Sequence, residues 1–319
     1  MRTLALVAVL ILSKISFPCC MASDGSTVKL VGEQVVIVWD ADKKIEHFVR
    51  KATFDTSAKD FGFIVPTPSV PTLAVAKTDI FGKLKAYVDF QNRPPSIACS
   101  APLGSVDAAA GGVEVVSEQT VGDYKAAIIR ASDASGLGQW LKANGYVSRP
   151  AMEEWFDHYI KKNWVFTALK YTGKKGMVTA TQAVRISFKT DAPHYPYKMP
   201  KDTWPAGWYR PLSVYFISTS DVRGDYLGKG SAWEARKRWS GSLNQYMVNK
   251  LLTDLNLKGS DMPKHPVLTQ FDNSRNAIGY DDDLVFRPQE ASILNPTTLA
   301  VGAIIGSVWM IHRRRRKTV

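Results

Sequence analysis

The sequence predicts an α+β protein: mostly antiparallel sheets, three or four covering helices, and one C-terminal transmembrane helix. Three observations support this prediction. Short β-branched and aromatic runs recur along the chain, as in strands. Apolar stripes at helical spacing separate some of these runs. An apolar run followed by five basic residues ends the chain.

The strand predictions begin with residues 35–39, a continuous β-branched run suited to a buried strand. A polar turn follows, and residues 45–54 interleave polar and apolar side chains as a second strand does. The remaining strands are predicted at residues 60–65, 113–117, 124–130, 165–171, 183–189, 212–218 and 284–286.

Four segments carry helical patterns. The first follows Thr78 as its cap, the second follows Ser135, and the third begins at Pro150. Residues 233–257 are predicted to be mostly helical. The third helix has the clearest apolar stripe, and aromatic stripes at this spacing are far more often core than part of a cofactor site. Its stripe comprises Met152, Trp155, Phe156, Tyr159 and Ile160.

Residues 293–312 are predicted to be a transmembrane helix, with residues 313–319 as a basic cytoplasmic tail. The 15 residues from Thr297 to Ile311 carry no charge, and as a helix they would extend about 22 Å. A hydrocarbon core is ~30 Å thick, so Ile293 and Leu294 are needed to lengthen the span. The lipid bilayer is therefore a predicted partner.

Gly302 and Gly306 form a G-x-x-x-G spacing within this span. Such a spacing allows two helices to approach closely, which would make a homodimer. The alternative is an accidental spacing in a run of small residues.

The first 22 residues have the pattern of a secretory signal peptide, with Arg2, an apolar stretch and a small residue, Ala22, before the expected cleavage. An N-terminal export signal and a C-terminal anchor together predict a single-pass membrane protein. Its body, residues 23–290, would be extracytoplasmic, in the periplasm or at the cell surface. Residues 91–112 are rich in Pro, Ser, Ala and Gly and are a candidate boundary inside the body.

The basic composition belongs mainly to the ends of the chain. Seven of the 41 basic residues are Arg2, Lys14 and the five tail cations, which leaves 34 basic against 29 acidic residues in the body. A mild excess without a clustered basic face argues against a nucleic-acid partner.

Three cysteines, Cys19, Cys20 and Cys99, leave two alternatives open. Cleavage after Ala22 leaves Cys99 as an unpaired, small buried side chain. Earlier cleavage would allow Cys99 to pair with Cys19 or Cys20 in an oxidising compartment.

An ordered series of phrases resembles the bacterial exported family called domain of unknown function 2330. The resemblance extends from about Val28 to Phe286, and a signal and an anchor are also typical of the family. It implies no activity, since the family is defined without an established function. The phrases are EHFVR at 46–50, DFGFIVPTP at 60–68, VGDY at 121–124, WLKANGY at 140–146, WVFTALK at 164–170 and YPYKMP at 195–200.

No catalytic, cofactor-binding or metal-binding constellation is predicted. The known hydrolase, nucleotide and zinc spacings do not occur in the sequence. Glu46 and His47 are adjacent in a strand, so they are expected to point to opposite faces and not to share one substrate atom. Asp281, Asp282 and Asp283 lack the alternating spacing of a calcium loop and indicate a charged turn.

The best candidate binding surface is an aromatic and proline-rich loop region, because amphipathic rings near Arg and Lys suit sugars, peptides or lipid headgroups. The alternative is that these rings pack against the sheet. We therefore expect a non-enzymatic binding or structural module that takes an envelope protein or polymer. The competing hypothesis is a membrane-tethered hydrolase with an unrecognised site. The candidate residues are Tyr195, Tyr197, Trp204, Trp208 and Tyr209.

Overall fold

Two β-sheets pack face to face, and each is covered on its outer side by two helices. The computed structural model describes residues 20–22, 28–56, 61–92, 117–146, 148–173, 178–201, 212–273 and 281–289. The helices are α1 (Ile80–Gln91), α2 (Ala134–Ala143), α3 (Pro150–Ile160) and α4 (Gln245–Asp254), with a short 3-10 helix at Gly259–Asp261.

Sixteen strands are found in the described residues. They are β1 (Cys20–Ala22), β2 (Val28–Asp40), β3 (Ile45–Thr56), β4 (Phe61–Thr67), β5 (Thr72–Ala76), β6 (Ser117–Val121), β7 (Tyr124–Ile129), β8 (Val165–Tyr171), β9 (Val178–Ala180), β10 (Ala183–Lys189), β11 (His194–Tyr195), β12 (Leu212–Ser218), β13 (Val222–Tyr226), β14 (Arg236–Ser242), β15 (Val267–Asn273) and β16 (Leu284–Pro288).

The smaller of the two packed sheets has the order β1-β4-β8-β7-β6, and the larger has the order β14-β15-β12-β2-β3-β10-β5, with β9 also paired to β3. Every described strand pair in these two sheets is antiparallel except β2 with β12. A third sheet has the order β11-β16-β13. The predicted class, mostly antiparallel sheets with covering helices, is confirmed.

The main core lies between the two sheets and follows from the two-residue period of the strands. Alternate residues of β2 and β3, such as Ile37 and Phe48, face alternate residues of β4 and β8, such as Phe63 and Leu169. These side chains are at most 3% exposed. Burying one such side chain stabilises the fold by about 1.5–3 kcal/mol, so this layer contributes much of the stability.

The opposite faces of the sheets are covered by helices. Val36 and Val38 of β2 pack with Leu84 of α1 and Leu251 of α4. On the smaller sheet, Phe166 of β8 belongs to a core that the sheet forms with helices α2 and α3. The result is a four-layer body, α/β/β/α.

Helix α3 forms as its sequence pattern predicts. Pro150 occupies the first turn, where a missing N–H costs little. Trp155, Phe156 and Tyr159 are at most 3% exposed and belong to the core beneath the helix. The aromatic stripe is thus core, as expected.

The predicted caps of the first two helices need correction. Helix α1 has Asp79 at its N-cap position, and the Thr78 hydroxyl instead accepts a hydrogen bond from a backbone N–H of β10. Helix α2 is capped by Asp133, whose side chain accepts a hydrogen bond from the Gly136 N–H, and Ser135 lies inside the helix. In both cases the helix begins one or two residues from the predicted position.

The segment at 233–257, predicted to be mostly helical, also needs correction. It contains β14, because residues 236–242 pair with β15 at the edge of the larger sheet. Only Gln245–Asp254 of that segment is α-helical.

Residues 1–287 form one compact unit and residues 288–319 form a second, of which only residues 288 and 289 are described. Within the described ranges no helix is long and apolar enough to cross a membrane. The predicted span at 293–312, the basic tail, Gly302 and Gly306 lie outside those ranges, as do Cys19, Cys99 and most of the candidate boundary at 91–112. The last three residues of the predicted signal, Cys20–Ala22, form β1 and pair with Phe61, Gly62 and Phe63 of β4.

Candidate functional site

Tyr195 and Tyr197, two of the predicted site residues, lie in the core between the sheets. Each is 1% exposed. The Tyr195 ring is 5.8 Å from Phe48, and the Tyr197 hydroxyl accepts a hydrogen bond of 2.8 Å from the Asn273 amide. These two rings pack in the interior and present no surface to a ligand in this structure. Trp204, Trp208 and Tyr209 lie outside the described residues, so their role stays a prediction.

A cleft of about 590 Å³ opens beside these tyrosines, and we call it the Trp164–His194 cleft. Turns and strand ends from several elements form it. The β2–β3 turn contributes Lys43 and Lys44, and the segment from the end of β10 to β11 contributes Lys189 and Asp191. Its other lining residues are Pro68, Trp164, Thr190, Ala192, His194, Leu227 and Val285.

Aromatic rings form one wall of the cleft. The partly buried Trp164 ring lies 4.8 Å from the His194 imidazole and 5.3 Å from Tyr159 on α3. On another side, Phe188 lies 5.3 Å from the His194 ring. The sequence places Trp164 directly before β8, so the packing of that strand holds the indole at the cleft.

Glu46 lies beside His194 in the interior. Its Oε2 accepts a hydrogen bond of 2.9 Å from the His194 backbone N–H, and His194 Nδ1 is 3.5 Å from the same oxygen. Burial raises the pKa of Glu46 well above its usual range, against the opposing effect of that hydrogen bond. Burial also lowers the pKa of His194 to about 3. The distance of 3.5 Å between His194 Nδ1 and Glu46 Oε2 would suit an ion pair. Burial disfavours the charged form of each group, so we treat Glu46 and His194 as a neutral pair.

Three buried polar atoms near the cleft have no hydrogen-bond partner within the described part of the chain. They are Glu46 Oε1, His194 Nε2 and Asp283 Oδ2. The other oxygen of Asp283 accepts hydrogen bonds from the Tyr159 hydroxyl at 2.8 Å and from the Lys198 N–H at 3.0 Å. Burial raises the pKa of Asp283 as well. These contacts tie α3 to the third sheet next to the cleft.

The rim of the cleft is cationic. Lys43 pairs with Asp40 at 2.6 Å, and Lys44 pairs with Asp191 at 2.8 Å. Lys189 is exposed at the end of β10. Of the residues that line the cleft, three are lysines and Asp191 alone is acidic. Since Asp40 and Asp191 offset Lys43 and Lys44, these five side chains leave a surplus of one positive charge, which suits a ligand with negative charge.

His47 points away from this cleft, as its position next to Glu46 predicts. Its Nδ1 is 2.8 Å from the Ser187 hydroxyl, and its cross-strand neighbour Val38 belongs to the helix-covered core of the larger sheet. Burial lowers the pKa of His47 to about 4. The prediction that Glu46 and His47 occupy opposite faces is confirmed.

Asp281 and Asp282 form the predicted charged turn before β16, whereas Asp283 is fully buried. Asp281 pairs with Lys229 at 2.7 Å. Asp282 Oδ2 accepts hydrogen bonds from the backbone N–H groups of Gly228 and Lys229. Among the described residues, no cluster of His, Cys, Asp or Glu is arranged to hold a metal ion.

The fold and this cleft define the class: an α+β protein of two packed antiparallel sheets with a cationic, aromatic cleft at their turns. The chain belongs to the family of uncharacterized proteins conserved in bacteria called DUF2330, whose model matches residues 15–223. The predicted family is confirmed, and the match ends at residue 223, before the predicted limit at Phe286. That family description names no activity.

No curated protein matches the chain. A crystal structure of baculovirus P35 is similar to it with a TM-score of 0.43 and 10% identity. The match covers 82% of this chain and 98% of the P35 chain. A similarity at this level carries no argument about function.

Sequence reasoning did not find Trp164, His194 and the three lysines as one site. These residues come from separate segments of the chain, and only the fold brings them together. The one available signal was the WVFTALK phrase, which places an aromatic residue directly before a buried strand.

Proposed function

We propose that this protein is a single-pass envelope protein whose extracytoplasmic body is a binding module. The signal pattern and the apolar C-terminal run with its basic tail support this location. The Trp164–His194 cleft supports the binding role.

The ligand of the cleft is an acidic envelope polymer. The observation that carries this proposal is the combination of a partly buried indole with three lysines, two of them also paired with aspartates, around one cleft of about 590 Å³. This volume lies within the range of pockets that bind ligands of small-molecule size, which suits a short stretch of a polymer chain. An aromatic face packs against the apolar side of a sugar or peptide unit, and the lysines pair with its anionic groups.

Trp164→Ala should weaken the binding of polygalacturonate to the full-length protein in detergent about tenfold, which corresponds to about 1.4 kcal/mol. Lys44→Glu with Lys189→Glu should weaken it further and reduce its dependence on salt, because surface ion pairs are screened. Binding is measured by calorimetric titration, with dextran as the neutral polymer.

Phe90→Ala is the matched control, since Phe90 is 57% exposed on α1 and does not line the cleft. The exposed lysine changes leave the core intact, so they test binding even if Trp164→Ala lowers stability. Retention of the polymer by the double lysine variant at the level of the unchanged protein would exclude this ligand.

A hydrolase is the second candidate, and the contact between His47 and Ser187 favours it. A neutral imidazole 2.8 Å from a hydroxyl is the arrangement of a base beside a nucleophile. A fluorophosphonate probe should then label the protein, and Ser187→Ala should abolish the labelling. Equal labelling of Ser187→Ala, or none of either protein, would remove this candidate.

A further inference from the structure

A second, smaller pocket lies on the helix-covered face of the smaller sheet. It measures about 320 Å³ and is separate from the Trp164–His194 cleft, with which it shares no lining residue. Strands β6, β7 and β8 form its floor, and the end of α2 forms its wall. Its lining includes Glu118, Lys125, Trp140, Tyr146 and Lys170.

Strand alternation brings two lysines together in this pocket. Tyr124 and Ala126 of β7, and Leu169 and Tyr171 of β8, face the main core, so Lys125 and Lys170 point to the other face. The two lysines are direct cross-strand partners in the register of β7 and β8. Like charges directly opposite each other destabilise a sheet.

The charge of these two lysines is only partly offset. Glu118 lines the same pocket, but neither lysine forms an ion pair with a described acidic side chain. The Lys170 ammonium lies beside Gly145 just after α2, where a Cβ would be only 2.9 Å from Nζ. The negative end of that helix favours one cation, with an effect of about half a charge. The two lysines carry more positive charge than Glu118 and this helix end offset, so the pocket has a surplus of positive charge.

Two aromatic rings complete the pocket. Trp140 on α2 is partly buried, and its ring stacks on Tyr146 at 6.2 Å with an angle of 26°. Tyr146 is itself buried, which raises the pKa of its phenol. An indole next to paired ammonium groups provides both a stacking surface and a charge partner for one ligand.

We propose that this pocket binds an anionic monosaccharide, a single sugar ring that carries a carboxylate or a phosphate group. Lys125 and Lys170 hold the anionic group, which relieves their mutual repulsion, and the Trp140 indole packs against the ring. A pocket of about 320 Å³ is near the lower limit for ligand sites, which suits a single sugar ring. This site does not depend on the proposed function of the Trp164–His194 cleft.

The test is a calorimetric titration of the full-length protein in detergent with glucuronate, glucose 6-phosphate, glucose and inorganic phosphate. We expect glucuronate or glucose 6-phosphate to bind at least about tenfold more tightly than glucose. The sugar that binds more tightly, glucuronate or glucose 6-phosphate, identifies the preferred anionic group as a carboxylate or a phosphate. Lys125→Gln and Lys170→Gln should each weaken that binding by about the same factor, and Trp140→Ala should weaken sugar binding but not that of phosphate.

The melting temperature distinguishes a ligand-binding role of the lysines from a structural role. Lys125→Gln should not lower the melting temperature, because it removes a like-charge contact, whereas loss of a structural lysine would lower it. Lys44→Gln, in the other cleft, is the control and should bind the monosaccharide as the unchanged protein does. Unaltered binding by both Lys125→Gln and Lys170→Gln overturns the proposal. Binding of inorganic phosphate as tight as that of glucose 6-phosphate also overturns the proposal, because it would mean an adventitious ion only.

Discussion

Replacing Arg50 with Met should destabilise the protein by about 3–5 kcal/mol, because it removes the charge partner of a buried carboxylate. Arg50 Nε lies 2.6 Å from Glu33 Oε1, and the two side chains are 7% and 1% exposed. The guanidinium also lies 4.2 Å over the Phe63 ring, in the core between the two sheets. The free energy of unfolding, from denaturant titration of both proteins, measures this effect.

A second substitution separates the lost ion pair from lost packing. Arg50→Met combined with Glu33→Met should recover most of the loss, because an apolar pair of similar volume needs no charge partner. If the pair is the cause, the double variant is at least as stable as the single Arg50 variant. A double variant that loses the sum of the two single effects would contradict a coupled buried pair.

Replacing Glu46 with Gln should stabilise the protein increasingly as pH rises. The folded state raises the pKa of Glu46 above its unfolded value of 4.5, so the protonated carboxyl is the favoured form. The stability linked to this proton is fully present below pH 4.5 and is lost as pH rises towards the folded pKa. The substituted amide stays uncharged at every pH, and its carbonyl oxygen still accepts the His194 N–H. Each unit of raised pKa corresponds to about 1.4 kcal/mol.

Denaturant titrations at about pH 4 and about pH 8, below and above the unfolded pKa of 4.5, measure this effect. The two proteins should differ little at the lower pH and most at the higher. His47 and His158, whose pKa values are lowered and whose side chains do not contact Glu46, reduce stability below about pH 6.5 in both proteins and so cancel from the difference. His194 contacts Glu46, so the effect of its lowered pKa is part of the difference at the lower pH. Glu153→Gln makes the same change on an exposed carboxyl in the first turn of α3, where a carboxylate is stabilising, and should not gain stability as pH rises. A stability difference that is constant with pH would contradict a buried protonated Glu46.

The fold class was predictable because local patterns and tertiary packing agree over most of the body. Strands β8, β10 and β12 have the bounds that their alternation predicts. Helix α3 begins at Pro150 and buries its predicted stripe. In these segments the period of the apolar residues was sufficient to define the element.

The edge of the larger sheet was not predictable in the same way. Residues 261–283 are polar and irregular in sequence, yet β15 there is a central strand between β12 and β14. Strand β14 has mostly exposed or half-exposed residues and an irregular register between Lys237 and Trp239. Its conformation comes from pairing with β15, and tertiary pairing of this kind overrides local propensity.

The candidate site was predictable only in part. Alternation correctly separated Glu46 from His47, because it depends on adjacent residues of one strand. The contact of Glu46 with His194 joins residues 148 positions apart, and no local pattern indicates it. The sequence does indicate a buried charge at Glu33 and at Arg50, because each is a charged residue at an inward position of an apolar strand.

Lysine acetylation of the full-length protein, with and without bound polygalacturonate, tests the central claim most directly. Lys44 is 63% exposed and Lys189 is also exposed at the cleft, so both are open to the reagent in the free protein. We expect the bound polymer to slow acetylation of Lys44 and Lys189 about tenfold, while Lys85 on α1 and Lys161 after α3 react at an unchanged rate. Unchanged acetylation of Lys44 and Lys189 at saturating polymer would contradict binding in the Trp164–His194 cleft.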